Sequence, residues 1–253
     1  MRSLSVIILT KNSRSTIESA INGALLVGEE VIVVDSGSMD DTVAKALQLG
    51  ASVISIQWNG YGDARNQGAA KAKGTYILNI DADEVITDQL ALSINSIKPR
   101  PKSIYGFKRL NYLGTKAIKH GEWSKDRVWR LYNKNETKWD LSDVHEKLKC
   151  TGFHKILLKG VLKHYTADNI EAYQQKMDAY ARLSAKKYND GQKKVGWIKM
   201  VVSPLFNLLQ NYIFRLGILD GKAGWDIAKT HYQYNRNKYR YLRVLKKEAV
   251  MAL

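Results

Sequence analysis

The sequence predicts an α/β fold with a doubly wound, mostly parallel sheet, followed by a C-terminal helical extension. Up to residue 97, short apolar runs typical of buried strands alternate with segments of helical periodicity. This alternation is the pattern of consecutive βαβ units. From residue 169 onward, the apolar residues follow helical spacing alone.

The first βα unit is predicted at the N-terminus. Residues 4–9 form an apolar run that fits a buried strand. Ser15 and Glu18 have the spacing of a capping box, which predicts the start of a helix. The apolar stripe of this helix consists of Ile17, Ile21, Ala24 and Leu25.

The second unit begins with a predicted strand at residues 31–34 and a polar turn at residues 35–38. Either Asp40 or Asp41 is expected to cap the helix that follows. Gly50 then ends this helix, because glycine adopts the left-handed conformation found after helix C-termini.

Two more strands and two more helices complete the alternating region. Residues 52–56 and 76–80 are predicted strands, and residues 63–73 between them are predicted to be helical. Thr87 is expected to cap a further helix that reaches about residue 97.

The chain changes character after this region. Residues 104–163 contain short, aromatic-rich strands and loops, which indicate an α+β half beside the sheet. We therefore predict a catalytic domain at residues 1–165 and a helical extension at residues 166–253. The extension is basic, because Lys and Arg outnumber Asp and Glu by 21 to 17 up to Cys150 but by 19 to 7 after it. The positive electrostatic field of such an extension attracts nucleic acid, anionic lipid or phosphorylated saccharides.

Composition also predicts the compartment. The single cysteine, Cys150, cannot form an internal disulfide, so the cytoplasm is the default expectation. The apolar run at residues 6–9 is too short for a signal-peptide core, and no uncharged stretch approaches the ~20 residues that span a bilayer. The chain is therefore expected to be neither secreted nor transmembrane.

Polar residues follow three of the predicted strands. Thr10, Lys11 and Asn12 come after the first, Asp35 after the second, and residues 81–84, with the sequence Asp-Ala-Asp-Glu, after the fourth. Ligands of open parallel sheets bind beyond the carboxyl ends of the strands. Carboxylates spaced in this way suit Mg²⁺ or Mn²⁺ on a diphosphate. No Gly-x-Gly-x-x-Gly and no P-loop motif is present.

Four segments in this order resemble the family 2 glycosyltransferases, which have the GT-A fold. They are residues 5–12 (SVIILTKN), 33–42 (VVDSGSMDDT), 64–68 (ARNQG) and 74–84 (GTYILNIDADE). Later segments are similar to the subgroup that glucosylates the inner core of Gram-negative lipopolysaccharide. These are residues 120–127 (HGEWSKDR), 130–134 (RLYNK), 144–146 (VHE) and 219–224 (LDGKAG).

The resemblance implies roles for individual residues. Thr10, Asn12 and Asp35 would line the uridine pocket, with Asp35 accepting a hydrogen bond from the uracil imide. Asp81 would approach the ribose or the metal, and Asp83 would hold Mg²⁺ or Mn²⁺ on the donor diphosphate. Three basic residues would add fixed positive charge: Arg65, Arg127 and Arg130.

An inverting transferase also needs a carboxylate that removes the proton of the acceptor hydroxyl. The resemblance implies that Glu146 is this base, with Asp126 as its competitor. His145, beside Glu146, is a candidate metal or phosphate contact.

The resemblance thus implies an enzyme that moves a hexose, glucose above all, from a UDP-sugar to a heptose of the lipopolysaccharide inner core. Its partners would be the UDP-sugar, that acceptor and an anionic membrane surface, with the protein peripheral on the cytoplasmic face of the inner membrane. Residues 201–216 form an apolar stripe that would lie in the lipid interface, beside a basic tail. The tail residues are Arg236, Lys238, Arg240, Arg243, Lys246 and Lys247.

Other interpretations remain open from sequence. Another family 2 acceptor is possible: a capsule, a polyprenyl phosphate or a peptide. A phosphatase would need its Asp-x-Asp after the first strand, where this chain has Thr10. The tyrosine-rich basic stretch at residues 231–241 suits single-stranded nucleic acid, although no nucleic-acid partner is expected. Arg65 could be a surface residue that pairs with Asp63 or Glu84, and three tryptophans, Trp123, Trp129 and Trp139, are expected in the core rather than on a sugar.

Overall fold

The computed structural model describes residues 3–142, 146–192 and 195–251, with side chains up to residue 247. The chain divides into two compact units. The first contains Met1–Arg109 and Asp126–His164, and the second contains Leu110–Lys125 and Tyr165–Leu253. The second unit thus joins a segment from the middle of the chain to the C-terminal residues, and the division into a catalytic domain at residues 1–165 and a helical extension at residues 166–253 stays a prediction.

Four parallel strands form one half of the sheet, in the order β3-β2-β1-β4. All four strands predicted from apolar runs are present, each within two residues of its expected ends. They are β1 (Leu4–Thr10), β2 (Glu30–Asp35), β3 (Ser52–Ser55) and β4 (Tyr76–Asp81).

Helices cover both faces of this parallel half, as the doubly wound prediction requires. The helices are α1 (Ile17–Leu25), α2 (Thr42–Gln48), α3 (Tyr61–Lys71) and α4 (Asp88–Asn95). One core contains residues of α1, α2 and α4 together with Val6 and Ile8 of β1. The other contains α3 residues with Ile7 and Leu9, whose side chains point to the opposite face of the strand.

The other half of the sheet is antiparallel, so the sheet as a whole is mixed. Beyond β4 the strand order is β8-β6-β9-β5, with the short β7 paired to β6. These strands are β5 (Glu84–Ile86), β6 (Ser103–Leu113), β7 (Lys116–Ala117), β8 (Arg127–Asn133) and β9 (His154–Ala167). They account for the aromatic-rich region after residue 104.

The helix starts show which local signals the fold uses. Thr87 caps α4 through a side-chain bond from the Leu90 N–H, as expected. The predicted capping box of Ser15 and Glu18 is wrong, because α1 starts after Thr16 and has no side-chain cap. Here the first turn is held by backbone bonds to the Ser13 carbonyl.

The second unit is mainly helical, with α5 (Ile170–Asp190), α6 (Trp197–Leu209) and α7 (Gly221–Met251). Helix α7 packs along both α5 and α6. A small core gathers Ile118, Trp123, Tyr173 and Ile227. Among the described residues, none of the helices has the length and apolar content to cross a membrane.

Candidate active site

The carboxyl ends of three parallel strands place the predicted polar residues side by side. Thr10 of β1 is in register with Asp35 of β2, and its neighbour Leu9 is in register with Asp81 of β4. The polar segments that lie far apart in sequence therefore meet at one edge of the sheet. This is the position at which open α/β sheets bind ligands.

Hydrogen bonds join the loops after β1 and β2. The Asp35 carboxylate accepts bonds from the N–H groups of Gly37 and Ser38, at 3.0 and 2.9 Å, and from the Ser38 hydroxyl. The Asn12 N–H donates to the Ser38 Oγ at 2.8 Å, and the Asn12 side chain accepts from the Met39 N–H at 2.8 Å. Gly37 has φ +92°, a conformation that glycine adopts without strain. A carboxylate has about four acceptor sites, so the three bonds from described residues leave Asp35 one site for a further donor.

Thr10 carries an unusual hydroxyl. The side chain is buried at 6% exposure, yet its Oγ1 has no hydrogen-bond partner within the described ranges. Buried polar atoms are normally paired. An unpaired hydroxyl beside Asp35 is thus suited to a ligand atom at this edge of the sheet.

Asp81 is paired with arginines on both of its oxygens. Its Oδ1 lies 3.2 Å from Nη2 of Arg65, and its Oδ2 lies 2.9 Å from Nη2 of Arg130. Burial alone would raise the pKa of Asp81, but the two guanidinium groups hold the pKa well below the usual aspartate range. Asp81 is therefore a partner of cations that the protein already supplies.

Arg65 links Asp81 to Glu146, the candidate general base. The Arg65 side chain is 2% exposed and pairs with Glu146 through Nη1, while its guanidinium lies 4.6 Å from the Trp139 ring centroid. Arg65 is thus not a surface residue paired with Asp63 or Glu84, because α3 turns it inward toward the strand end.

Neighbouring residues of α3 contact Trp139 and Asp140, which precede Glu146 in the chain. Asn66 donates to the Trp139 carbonyl and accepts from the Trp139 N–H, both at 3.0 Å. At Gly62, a Cβ atom would lie 1.9 Å from the Asp140 carbonyl oxygen, so only glycine permits this approach. The segment with the sequence ARNQG therefore supplies Arg65 and, through Asn66, holds the backbone of Trp139.

Asp83 differs from Asp81 in its surroundings. Its side chain is 37% exposed, and its Oδ2 lies 3.4 Å from Nε2 of His164. His164 reaches this position because β5 and β9 pair with Glu84 opposite His164. His164 could not be selected from the sequence, since a lone histidine within a strand carries no motif of its own.

The donor set around Asp83 fits a hard divalent cation. Mg²⁺ and Mn²⁺ commonly take one or two protein ligands and complete their coordination with phosphate oxygens and water. No group of three or more His, Cys, Asp or Glu side chains in the described ranges forms a metal site. A diphosphate would therefore have to supply several of the ligands, with Asp83 and His164 as the protein's contribution.

The competing candidate base, Asp126, pairs with Arg109 rather than Arg65 among the ion pairs of the described chain. Its Oδ2 lies 2.7 Å from Nε of Arg109, which in turn pairs with Glu84 at 3.0 Å. Arg127 starts β8 with an exposed side chain, so the structure does not place it with Arg130 in the buried cluster. His145 lies outside the described residues.

The model of the family described as "Glycosyl transferase family 2" matches residues 5–166. These residues include every strand end of the site and both candidate bases. The chain belongs to glycosyl transferase family 2. Its α/β fold, with helices on both faces of a parallel half-sheet, agrees with the GT-A type expected from the sequence.

Relatives of this family 2 chain cover most of its length. An uncharacterized glycosyltransferase of Rickettsia prowazekii is 31% identical over 242 residues, which are 89% of this chain and 81% of the relative. The lipopolysaccharide core biosynthesis glycosyltransferase LpsC of Rhizobium meliloti is 26% identical over 79% of this chain and 77% of its own. A solved structure of glucosyl-3-phosphoglycerate synthase from Mycobacterium tuberculosis covers 44% of each chain at 28% identity, with a TM-score of 0.36.

Two of the three tryptophans predicted to lie in the core of this family 2 chain are buried. Trp139 is 5% exposed and donates from Nε1 to Asn79, and Trp123 is 8% exposed against Tyr173. Trp129 is partly buried and lies under Lys155.

Proposed function

We propose that this family 2 enzyme transfers a hexose, glucose above all, from a UDP-sugar to a heptose of the lipopolysaccharide inner core, with inversion at the anomeric carbon. The use of a UDP-sugar donor is supported by one observation. Thr10, Asp35 and Asp81 meet at the carboxyl ends of the parallel strands, and the partly exposed Asp83 lies beside them. The acceptor half is supported by the likeness to LpsC and by the later sequence segments. Capsule, polyprenyl phosphate and peptide acceptors are the alternatives.

The uridine is proposed to lie over the loops after β1 and β2. Asp35 keeps one acceptor site for the uracil imide N–H, and the unpaired Thr10 hydroxyl provides a further contact. Asn12, tied to Ser38, would complete this edge of the pocket. Arg130 and Arg65 keep Asp81 neutralised, which lowers the electrostatic cost of bringing a diphosphate to this edge.

Asp83 and His164 are the residues that would hold Mg²⁺ or Mn²⁺. The bound cation would stabilise the negative charge that develops on the departing UDP. Asp83 suits this role better than Asp81, because its side chain is 37% exposed, against 26% for Asp81, and no arginine pairs with its carboxylate among the ion pairs of the described chain.

Glu146 is proposed as the general base. Its carboxylate shares Arg65 with Asp81, which puts it one side chain away from the donor motif. Asp126 is farther along, beyond Arg109 and Glu84. In the transfer step, Glu146 removes the proton of the acceptor hydroxyl, whose oxygen bonds to the anomeric carbon. The bond from that carbon to the diphosphate oxygen breaks, and UDP leaves with its electron pair.

A UDP-release assay tests this function. Purified protein is offered a panel of nucleotide sugars, truncated lipopolysaccharide acceptors and Mn²⁺ or Mg²⁺. We expect release that needs both UDP-glucose and a heptose-terminated acceptor. Asp83→Asn should abolish it, whereas Asp88→Asn, which removes an exposed carboxylate nearby, should not. Full activity of Asp83→Asn without added metal would contradict the mechanism. UDP release only with a capsule, polyprenyl-phosphate or peptide acceptor would show that the acceptor is not a lipopolysaccharide heptose.

The proposed acceptor is lipid-linked, and the second unit has an apolar surface that suits a bilayer. Thirteen large apolar side chains between Trp197 and Trp225 are exposed, with Phe214 at 74% and Trp197 at 68%. The buried residues of the same stretch include the polar Asn211 and Asp220. This arrangement is the reverse of the usual pattern for a helix in water.

Basic residues of α7 supply a matching charge. Arg236, Arg240 and Arg243 are exposed and can meet anionic headgroups at about 1 kcal/mol each. Lys238 is a correction to the expected basic tail, because it is 8% exposed and packs among tyrosines. The tyrosines at 234 and 241 bond to Ser184 and Asp178 of α5, and their ring faces meet Lys238 and Arg182, so they are not a free stacking platform for nucleic acid.

Vesicle sedimentation tests the membrane proposal. The protein should bind vesicles with anionic phosphatidylglycerol more strongly than phosphatidylcholine vesicles. Phe214→Ser should weaken binding by about 10-fold or more, from the loss of one inserted aromatic, and Arg240→Glu should weaken only the anionic component. Self-association in the ultracentrifuge without vesicle binding would instead assign the apolar face to a second copy of the chain.

A further inference from the structure

Glu84 is the most completely buried carboxylate of the donor site. Its side chain is 0% exposed, and both oxygens are used. One oxygen lies 3.0 Å from Nη1 of Arg109, and the other lies 2.6 Å from Nη1 of Arg130 and accepts from the Asp81 N–H at 2.9 Å. A buried charge is tolerated only with such pairing.

The bond from Asp81 to Glu84 closes the turn between β4 and β5. Asp83 lies inside this turn, so its backbone direction depends on that bond. Glu84 is also the residue of β5 that pairs with His164 of β9. One side chain therefore bears on both members of the proposed cation-binding pair.

Glu84 also pairs with two arginines of this cluster. Arg130 places one terminal nitrogen on Glu84 and the other on Asp81. Arg109 places one on Glu84 and another on Asp126. If the charge of Glu84 were removed, both arginines would need another carboxylate as a partner. Asp83 is the nearest candidate in the sequence, because it is two residues from Asp81 and directly precedes Glu84.

We propose that Glu84 is a positioning residue for sugar transfer: it fixes the turn of Asp83 and keeps Arg109 and Arg130 from forming an ion pair with that carboxylate. The proposal rests on the proposed function, in which Asp83 holds a divalent cation. Glu84 does not touch the donor or the acceptor in this account. Residues that orient metal ligands typically change metal affinity or activity by about 10- to 100-fold when replaced.

Manganese uptake tests this role without relying on transfer activity. Free Mn²⁺ is measured by electron paramagnetic resonance during titration of the protein with saturating UDP. In Glu84→Gln, the Mn²⁺ concentration at half-saturation should rise about 10- to 100-fold. Glu84→Asp, which keeps the charge, should recover part of the loss, and Asp88→Asn should match the wild type.

Thermal unfolding of each variant shows whether the change is one of folding. If Glu84→Gln does not fold, Arg109→Lys carries the test, because it keeps the charge but loses the contact with two carboxylates; its half-saturation should also rise. Unchanged Mn²⁺ half-saturation in a folded Glu84→Gln, or in Arg109→Lys when Glu84→Gln is unfolded, would overturn the positioning role. If the wild-type protein with UDP takes up no Mn²⁺, the proposed function itself fails, together with this inference.

Discussion

Asp81 and Asp83 are separated by one residue, yet their carboxylates have opposite surroundings. Asp81 contacts a guanidinium group with each oxygen, whereas Asp83 is 37% exposed and faces an imidazole. A motif that looks symmetrical in the sequence therefore has two different members. The first belongs to a buried ion-pair cluster, and the second is available to a ligand.

The unpaired hydroxyl of Thr10 gives a prediction that separates binding from stability. Thr10→Val keeps the shape of the side chain and removes a buried oxygen that has no hydrogen-bond partner among the described residues. The free energy of unfolding should stay the same or increase, because no hydrogen bond is lost.

The same variant should bind UDP more weakly, by up to about tenfold for one hydrogen bond. Isothermal titration calorimetry and urea unfolding measure the two effects. Equal UDP affinity for Thr10→Val and wild type would show that the nucleotide does not use this hydroxyl.

The two candidate bases are distinguished by charge-removing variants. Glu146→Gln should lower kcat by about 10²- to 10⁴-fold, the usual contribution of a general base, and should leave UDP binding nearly unchanged. Asp126→Asn should reduce kcat less, because Asp126 contacts Arg109 rather than the cluster around Asp81. The reverse order of the two kcat losses would assign the base to Asp126.

Acid unfolding should reveal the ion pairs of Asp81. Because its arginine partners lower the folded-state pKa, these pairs contribute stability above the unfolded value of about 3.9. The contribution is lost as the pH falls through the folded value. Wild type should therefore be more stable than Asp81→Asn at pH 7, and the difference should shrink below about pH 4.

Urea unfolding at pH 7, 5, 4 and 3 measures this difference. A gap between wild type and Asp81→Asn that stays constant across the series would mean that the carboxylate is not held ionised by Arg65 and Arg130.

Arg65 is predicted to support the fold as well as the site. Arg65→Met leaves Glu146 and one oxygen of Asp81 without their partner in a buried region, and should cost about 3–5 kcal/mol of unfolding free energy. Arg127→Met, an exposed arginine, should change the stability by no more than about 0.5 kcal/mol. Similar losses for the two variants would contradict the buried network.

The sequence was sufficient for the parallel half of the sheet and for the strand-end residues. Apolar runs marked β1 to β4, and the rule that strand ends meet placed Thr10, Asp35 and Asp81 together. Both signals are local. The boundary between the units was harder, because a segment near residue 120 belongs with helices that follow 45 residues later.

The partners of the arginines could not be predicted in this way. Arg65 meets Glu146 across 81 residues, and Arg130 meets Asp81 across 49. Glu84 and Arg109 carry no motif that indicates burial, and His164 reaches Asp83 only because β9 returns beside β5. Such contacts depend on how the antiparallel strands return to the sheet, which residue types alone do not encode.

The most direct measurement is an anomalous difference map from crystals grown with UDP and Mn²⁺. The proposed metal site predicts a manganese peak within coordination distance of an Asp83 carboxylate oxygen and of the diphosphate, with Asp81 still paired with Arg65 and Arg130. Bound UDP with no manganese peak near Asp83 would contradict it.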